Sequence, residues 1–319
     1  MKIASLFVTL TLISINLSAQ TGKVFENLSL PSKILNMERK YAIYLPPDYE
    51  SSARTYPVLY LLHGGGDDQT GWVQFGEVLN ITDKAIREGK ATPMIIVMPD
   101  ANTTRRGYAN NATGTWLYED FFFKELMPFV EKKYRIKSEK RFRAVAGLSM
   151  GGGGSFAFAL HHPELFSSAC PLSAATGPMS VEAAKMQIKR GPDSTATDAQ
   201  IEAFFNQQNV VHMVNNVPDD LKKAVRWYID CGDDDFLFEG NSLVHIAMRK
   251  KRFRTNSGFA TGGIPGRIGA KLCPTCWSLS RRHSTSTEFN RLFSPQMATD
   301  SHRFQVIATK SVRICGHPW

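Results

Sequence analysis

The segment Gly147-Leu148-Ser149-Met150-Gly151 constrains the fold of this chain more than any other. It follows a short apolar run at 142–146 and precedes a small-residue helical pattern at 151–160. A tight turn from strand to helix forces the serine into a strained backbone conformation, with which side chains at positions 147 and 151 would collide. The segment therefore predicts an α/β fold in which Ser149 lies in a nucleophile elbow at the end of a strand.

Short apolar runs alternate with amphipathic stretches, a pattern typical of a mostly parallel sheet flanked by helices. The predicted strands cover 41–45, 58–62, 94–98, 142–146, 167–172 and 225–231, and the predicted helices cover 78–88, 119–134, 151–160 and 242–251. A polar region at 174–218, with helical patches at 180–188 and 198–207, indicates an inserted cap. With 43% hydrophobic residues in 319, the chain is expected to form one large domain.

Residues 1–19 have the pattern of a secretory signal peptide. Lys2 precedes an apolar stretch at 4–17, and the small residues Ser18 and Ala19 follow it. The stretch is too short to span a bilayer comfortably, and no later segment is long enough. We therefore expect an exported protein, periplasmic, secreted or at the cell surface, without a stable membrane span.

The basic charge of the chain is concentrated at its end. The net charge is +9, yet residues 252–319 contain ten Lys and Arg and only two acidic residues, Glu288 and Asp300. The rest of the chain is close to neutral, which argues against nucleic acid as a partner. Because no helical or strand period continues after Lys251, the domain is expected to cover 20–251 and residues 252–319 to be a disordered tail.

The five cysteines do not predict a metal site. Cys170 and Cys231 could be oxidised in an exported protein, but the sequence does not decide whether they approach each other. The Cys273-Pro-Thr-Cys276 pair lacks a second pair of ligands nearby. We therefore predict no metal and no cofactor.

Two further motifs accompany the elbow. His63-Gly64-Gly65-Gly66 directly follows a predicted strand and matches the loop that donates an oxyanion-hole amide in such folds, with His63 in a structural role. After the nucleophile, the strand at 225–231 ends in an acidic loop, where a triad acid belongs. Asp235 is the predicted acid, and Asp233 is the alternative.

These motifs, YPVLYLLHGGG, GLSMGGGGSFAFAL and IDCGDDDFLFEGN, resemble the esterase D-like family over residues 35–251. The resemblance is to feruloyl and acetyl xylan esterases of carbohydrate esterase family one in particular. It implies the α/β-hydrolase fold and a serine carboxylesterase that acts on esterified plant polysaccharide such as xylan. Acyl transfer and glycan binding without catalysis are the alternatives.

The resemblance also assigns residues. It implies Ser149 as the nucleophile, Asp235 as the acid, and the amides of Gly65 and Met150 as the oxyanion hole. Three further residues are candidates for lining the acyl or sugar site: Trp72, Asn110 and Trp116.

The family pattern also requires a last strand, a Gly-Gly-His loop and a closing helix, and the sequence after Lys251 predicts none of them. His245 lies in an apolar helix pattern and is expected to be a core residue, while His283, His302 and His317 lie in the tail. The catalytic histidine is therefore missing from this reading frame.

A change of reading frame explains the loss. Codons that are compatible with residue 252 onward can be chosen so that, when read one base earlier, they encode a different ending. This ending has an alternating segment, the motif Asp-Gly-Gly-His-Thr, an aromatic cluster and an amphipathic helix, and it is followed by a stop codon. The histidine codon combines the last base of Gly263 with the first two of Ile264. We hypothesise that one base was lost in the adenine-rich codons of Lys250 and Lys251, which leaves 252–319 out of frame. Sequencing of the source DNA tests this, and an intact read in the given frame would refute it.

Overall fold

One sheet runs through residues 20–260, the part of the chain that the computed structural model describes. Its strands are β1 (Lys23–Ser32), β2 (Met37–Leu45), β3 (Val58–Leu62), β4 (Ile95–Pro99), β5 (Arg143–Leu148), β6 (Ser168–Leu172), β7 (Arg226–Gly232) and β8 (Thr255–Ala260). The order is β1-β2-β4-β3-β5-β6-β7-β8. β2 is antiparallel to β1 and β4, and every other neighbouring pair is parallel. The predicted α/β class with a mostly parallel sheet is confirmed.

Helices cover both faces of this sheet. They are α1 (Gly71–Gln74), α2 (Val78–Arg87), α3 (Tyr118–Phe121), α4 (Met127–Lys133), α5 (Met150–His161), α6 (Val181–Lys189), α7 (Asp198–Gln208), α8 (Val210–Asn216) and α9 (Phe238–Lys250), and a π-helical turn (Phe122–Leu126) joins α3 to α4. No helix in the range 20–260 has the length and apolar character needed to cross a bilayer. The predicted signal peptide at 1–19 lies outside the described residues.

Alternation along the strands divides the core into two layers. In β3, Tyr60 and Leu62 face a layer formed with α3, α4, α5, α8 and α9, whereas Leu59 and Leu61 face a layer formed with α1 and α2. Strands that are buried on both faces read as continuous apolar runs. This is why β3 and β4 are recognisable in the sequence.

The sequence prediction omitted β1, which forms an antiparallel hairpin with β2 at the edge of the sheet. Residues of β1 alternate between exposed and half-buried along most of its length, so it carries no continuous apolar run. Its start is held by Asp83 on α2, whose carboxylate accepts hydrogen bonds from Gly22 N–H at 2.8 Å and from the Tyr44 hydroxyl at 2.7 Å.

The expectation that no strand follows Lys251 is wrong for six residues. β8 pairs in parallel with β7 from Trp227 opposite Thr255 to Gly232 opposite Ala260. The open edge of β7 offers main-chain donors and acceptors, and their pairing does not require a particular side-chain period. The domain therefore extends beyond its predicted end at 251. Residues 261–319 lie outside the described part, and so does the prediction that the closing helix is lost.

The polar insertion after β6 forms the helices α6, α7 and α8. Thr197 caps α7 in a reciprocal arrangement with Gln200, with hydrogen bonds of 3.2 and 2.8 Å. Between α6 and α7, Asp193 accepts hydrogen bonds from Arg105 and Asn111 at 2.7 and 2.6 Å. The insertion is thereby fastened to the loop that follows β4.

A buried ion pair fixes the end of β4. Arg39 Nη2 lies 3.1 Å from Asp100 Oδ2 and also donates to the Asp100 carbonyl at 2.7 Å. Both side chains are almost fully excluded from solvent, and Trp116 and Tyr118 pack around the guanidinium. Removal of one partner would leave an uncompensated buried charge.

We predict that Asp100→Ala lowers the free energy of unfolding by about 3–5 kcal/mol. Glu50→Ala is the matched control because its pair with Lys23 is solvent-exposed, and such pairs contribute little. Urea unfolding of both variants measures the difference. Equal stability of the two variants would contradict the role assigned to the buried pair.

Candidate active site

Ser149 occupies the turn between β5 and α5 in a conformation that is unfavourable for a residue with a side chain. Its φ is 55° and its ψ is −112°. A Cβ at Gly147 would lie 2.4 Å from the Gly151 carbonyl oxygen, and a Cβ at Gly151 would lie 2.3 Å from the Leu62 carbonyl oxygen. Both positions therefore require glycine, and the helix begins in direct contact with the end of β3.

Main-chain hydrogen bonds hold Ser149 in this conformation. Its N–H donates to the Leu172 carbonyl at 2.9 Å, and its own carbonyl accepts from Gly153 N–H at 3.0 Å and Ala175 N–H at 2.9 Å. These bonds connect the turn to the carboxyl end of β6. Ser149 is half-buried at the edge where the parallel strands end, next to the start of α5. The first N–H groups of a helix have no acceptor within the helix itself. Developing negative charge is favoured there.

The glycine-rich loop after β3 passes directly beside the elbow. A Cβ at Gly64 would lie 3.7 Å from Ser149 Cβ, and a Cβ at Gly65 would lie 4.0 Å from Met150 Sδ. Gly66 adopts φ +97°, which favours glycine. The predicted oxyanion residues Gly65 and Met150 therefore lie on adjacent segments beside the serine.

His63 fixes the conformation of this loop and does not serve as a base for Ser149. Its Nδ1 donates to the Gly64 carbonyl at 2.8 Å, and its Nε2 accepts from Ala101 N–H at 2.9 Å. Burial lowers the pKa of His63 below its ordinary value, although nearby Asp100 opposes the change. Both ring nitrogens of a neutral imidazole are thus in use, in agreement with the structural role predicted for it.

Burial distinguishes the carboxylates of the acidic loop. Asp233 and Asp234 are exposed, whereas Asp235 is 6% exposed. Asp235 Oδ1 accepts from Leu237 N–H at 2.9 Å, but Oδ2 is buried without a partner among the described residues. A buried carboxylate oxygen without a donor is costly. Asp235 therefore has the unused acceptor that a triad acid offers to an imidazole.

No histidine of residues 20–260 hydrogen-bonds Ser149 or Asp235. His161 Nδ1 lies 2.7 Å from Glu119 Oε1, and His212 packs against Phe205. His245 lies on α9 and is half-buried, rather than the core residue that the sequence predicted. The other three histidines of the sequence, His283, His302 and His317, lie outside the described residues.

Two of the three candidates for lining the site have structural roles instead. Trp72 is a core residue at 8% exposure, and its indole N–H donates to the Leu62 carbonyl at 3.0 Å. The amide of Asn110 is occupied at both ends by Asp120 at 3.0 and 3.2 Å. Trp116 is half-buried against the Arg39 guanidinium, and its indole N–H has no acceptor in the described range. Residue type did not reveal which aromatic side chains face the core.

The cysteines and carboxylates give no sign of metal or redox chemistry in this part of the chain. Cys170 and Cys231 are buried free thiols, and burial raises the pKa of Cys231 to about 11. Residues 20–260 contain no cluster of three His, Cys, Asp or Glu side chains arranged for a metal ion. Cys273 and Cys276 lie outside these residues.

The sequence analysis overlooked Arg106. A Cβ at Gly65 would lie 3.7 Å from Arg106 Cδ, so this exposed side chain borders the oxyanion loop. The two residues are far apart in sequence, and only the position of Arg106 in the loop that follows β4 hinted at a role.

We predict that Gly151→Ala severely disrupts the elbow, because the added Cβ would collide with main-chain atoms of β3. Gly191→Ala is the control, since its nearest contact would be 3.5 Å. Thermal unfolding is expected to show a lower Tm for Gly151→Ala alone. Unchanged Tm for both variants would contradict the close packing.

We predict that His63 makes the fold less stable as the pH falls below about 6.5. Because the pKa of His63 is lowered in the folded state, the unfolded chain takes up the proton more readily. The stabilising contribution is complete above the unfolded pKa and is lost below it, with a slope of up to about 1.4 kcal/mol per pH unit. His63→Gln is expected to have a shallower dependence between pH 6.5 and 5 in urea titrations. An identical slope would refute this.

Comparison with known proteins agrees with this geometry. The family model described as "Putative esterase" matches residues 32–266. A solved ferulic acid esterase is 32% identical with a TM-score of 0.72, over 82% of this chain and 97% of that one. An esterase of Mycobacterium tuberculosis is 41% identical over 143 residues, which are 44% of this chain and 29% of the relative.

A second curated relative is the endo-1,4-beta-xylanase/feruloyl esterase of Xylanibacter ruminicola, which is 37% identical over 131 residues, 39% of this chain and 18% of the relative. The chain thus matches less than a third of the length of these two curated relatives. The family match, in contrast, includes the elbow, the glycine-rich loop and the acidic loop. The chain therefore belongs to this esterase family and has an α/β-hydrolase fold.

Proposed function

We propose that the chain is built as a serine carboxylesterase that forms an acyl intermediate on Ser149. The observation that carries this proposal is the strained serine at the end of β5, with Gly64 and Gly65 alongside it. In the proposed site, the amides of Gly65 and Met150 stabilise the oxyanion, and Asp235 orients a histidine. The unpartnered Oδ2 of Asp235 supports this assignment over Asp233, whose side chain is exposed.

The proposed reaction has two steps. Ser149 Oγ loses its proton to a base and attacks the ester carbonyl, and the tetrahedral intermediate collapses with departure of the alcohol, which takes up that proton. Water then attacks the acyl enzyme and releases the carboxylic acid, which regenerates Ser149. The loop after β3 and the first turn of α5 stabilise the oxyanion in both steps.

We propose further that this chain is impaired because it lacks the histidine base. Loss of the histidine of a serine triad costs about a million-fold in turnover. In the alternative frame, the histidine falls at position 264, four residues after the end of β8. Gly232 and Ala260 are paired across the parallel strands, so the loops after both leave the same edge of the sheet. That histidine would then follow β8 much as Asp235 follows β7.

The proposed substrates are feruloyl or acetyl esters of plant polysaccharide such as xylan, and the proposed location is outside the cytoplasm. The 32% identical ferulic acid esterase and the xylanase/feruloyl esterase relative support this substrate class. The signal-like residues 1–19 support export. Glycan binding without catalysis is the second candidate for the chain as it stands, because no histidine of residues 20–260 pairs with Asp235, whose Oδ1 binds Leu237 N–H and whose Oδ2 is unpartnered.

The test is hydrolysis of 4-nitrophenyl acetate and methyl ferulate by the chain and by a version with the alternative-frame ending restored after Lys251. We expect turnover by the restored version only, and its loss in Ser149→Ala. Asp235→Asn is expected to lower kcat about ten-thousand-fold, whereas the matched Asp233→Asn change should have little effect.

Either of two outcomes would contradict the proposal. Equal activity of both versions would mean that another residue supplies the base. No activity in the restored version, together with binding of xylan oligosaccharides, would favour the non-catalytic alternative.

A further inference from the structure

Arg106 places a positive charge beside the loop that borders Ser149. Its Nη1 lies 3.8 Å, and its Cδ 3.7 Å, from the position that a Cβ on Gly65 would take. A Cβ on the preceding glycine, Gly64, would lie 3.7 Å from Ser149 Cβ. Two consecutive residues of one loop therefore separate the guanidinium from the nucleophile.

The segment that carries Arg106 is tied to this loop at both ends. Ala101 N–H donates to His63 Nε2 at 2.9 Å, and the Tyr108 hydroxyl donates to the His63 carbonyl at 3.1 Å. Gly107 N–H closes the segment by donating to the Ala101 carbonyl at 2.9 Å. The position of Arg106 relative to the candidate oxyanion hole is therefore set by the same histidine that shapes the hole.

The neighbouring arginine shows what a neutralised side chain looks like in this loop. Arg105 pairs with Asp193 of the cap at 2.7 Å, and Asn111 and Thr113 donate to the same oxygen. Arg106 is exposed and has no ion pair with a carboxylate in the described part of the chain. The ion pair of Arg105 fastens the loop after β4 to the cap, while the charge of Arg106 remains available to a ligand.

The acidic residues closest in sequence to the oxyanion loop are engaged elsewhere. The carboxylate of Asp67 lies against Gly71, where an added Cβ would be 2.7 Å from its Cγ. Asp68 Oδ1 accepts from both the N–H and the hydroxyl of Thr70 at 2.7 Å. Neither side chain forms an ion pair with Arg106, so within residues 20–260 the guanidinium beside Gly65 is not neutralised by a carboxylate.

We propose that Arg106 is a specificity-determining residue that selects esters with a carboxylate close to the scissile carbonyl. This inference rests on the proposed ester site at Ser149 and adds a charge requirement to its substrate class. A carboxylate on the alcohol half is compatible with a feruloyl or acetyl ester, whereas one on the acyl half would replace that acyl group. A guanidinium binds a carboxylate through two parallel hydrogen bonds, and its charge attracts anions into a cleft. The carboxylate belongs either to the acyl half, as in a half-ester of a dicarboxylic acid, or to the alcohol half, as in an acidic sugar.

Two matched pairs of small esters test the preference by binding to the full chain. Monomethyl succinate has a carboxylate on the acyl half, and dimethyl succinate is its neutral counterpart. Acetoxyacetate has a carboxylate on the alcohol half, and methyl acetoxyacetate is its neutral counterpart. Dissociation constants from NMR titration give a charged-to-neutral affinity ratio for each pair, and the pair with the higher ratio identifies the half that carries the charge.

We expect at least one charged-to-neutral affinity ratio to exceed one in the unmodified chain. In Arg106→Gln this ratio is expected to fall about fivefold, which is the change in affinity that an exposed ion pair can contribute. Salt at 1 M is expected to reduce the same ratio. Arg87→Gln, which removes an exposed charge on α2, should leave it unchanged. Circular dichroism melts check that the folds of both variants are intact.

Equal affinity for both members of each pair, including no binding of either, would overturn the proposal, as would a ratio that Arg106→Gln does not alter. These results are separable from the catalytic proposal. Hydrolysis of neutral 4-nitrophenyl acetate by the restored version, and its loss in Ser149→Ala, tests the esterase chemistry without reference to Arg106.

Discussion

The contact between the first turn of α5 and the ends of β3 and β5 is the constraint on which the rest of the site depends. Gly147 and Gly151 allow main-chain atoms to approach so closely that no side chain fits between them. This approach holds Ser149 at positive φ and places the start of the helix over the carboxyl edge of the sheet. Strain of this kind persists only where the surrounding structure enforces it. Here the hydrogen bond from Ser149 N–H to the Leu172 carbonyl and the one from Ala175 N–H to the Ser149 carbonyl do so.

A second chain of contacts connects the core to the oxyanion loop. Arg39 neutralises Asp100 at the end of β4, and the next residue, Ala101, donates to His63. His63 in turn binds Gly64 and accepts, through its carbonyl, the hydroxyl of Tyr108. A buried charge pair thus sets the geometry of a glycine loop whose own residues have no side chains to fix it. The stability of the core and the preorganisation of the site are therefore coupled.

The parts of the fold that were predictable are those in which burial leaves a pattern in the sequence. β3 and β4 are buried on both faces and read as apolar runs, while β1 is half-exposed and was overlooked. Asp235 and Asp233 are alike in the sequence and differ only in burial. Trp72 on α1 was a candidate for the site because the residue type alone does not reveal whether an aromatic side chain faces the core. Arg106 approaches Gly65 only through the folded topology.

The pairing of β8 with β7 shows how differently a sheet edge and a reactive centre depend on sequence. Six residues without a recognisable strand pattern complete the edge because every residue has the same main-chain groups. A catalytic imidazole at the end of that strand, in contrast, is a side chain that only histidine supplies. A frameshift of the kind hypothesised after Lys251 would therefore leave the architecture recognisable while it removed the chemistry, and a well-formed sheet in a homologue is weak proof that its gene encodes a working enzyme.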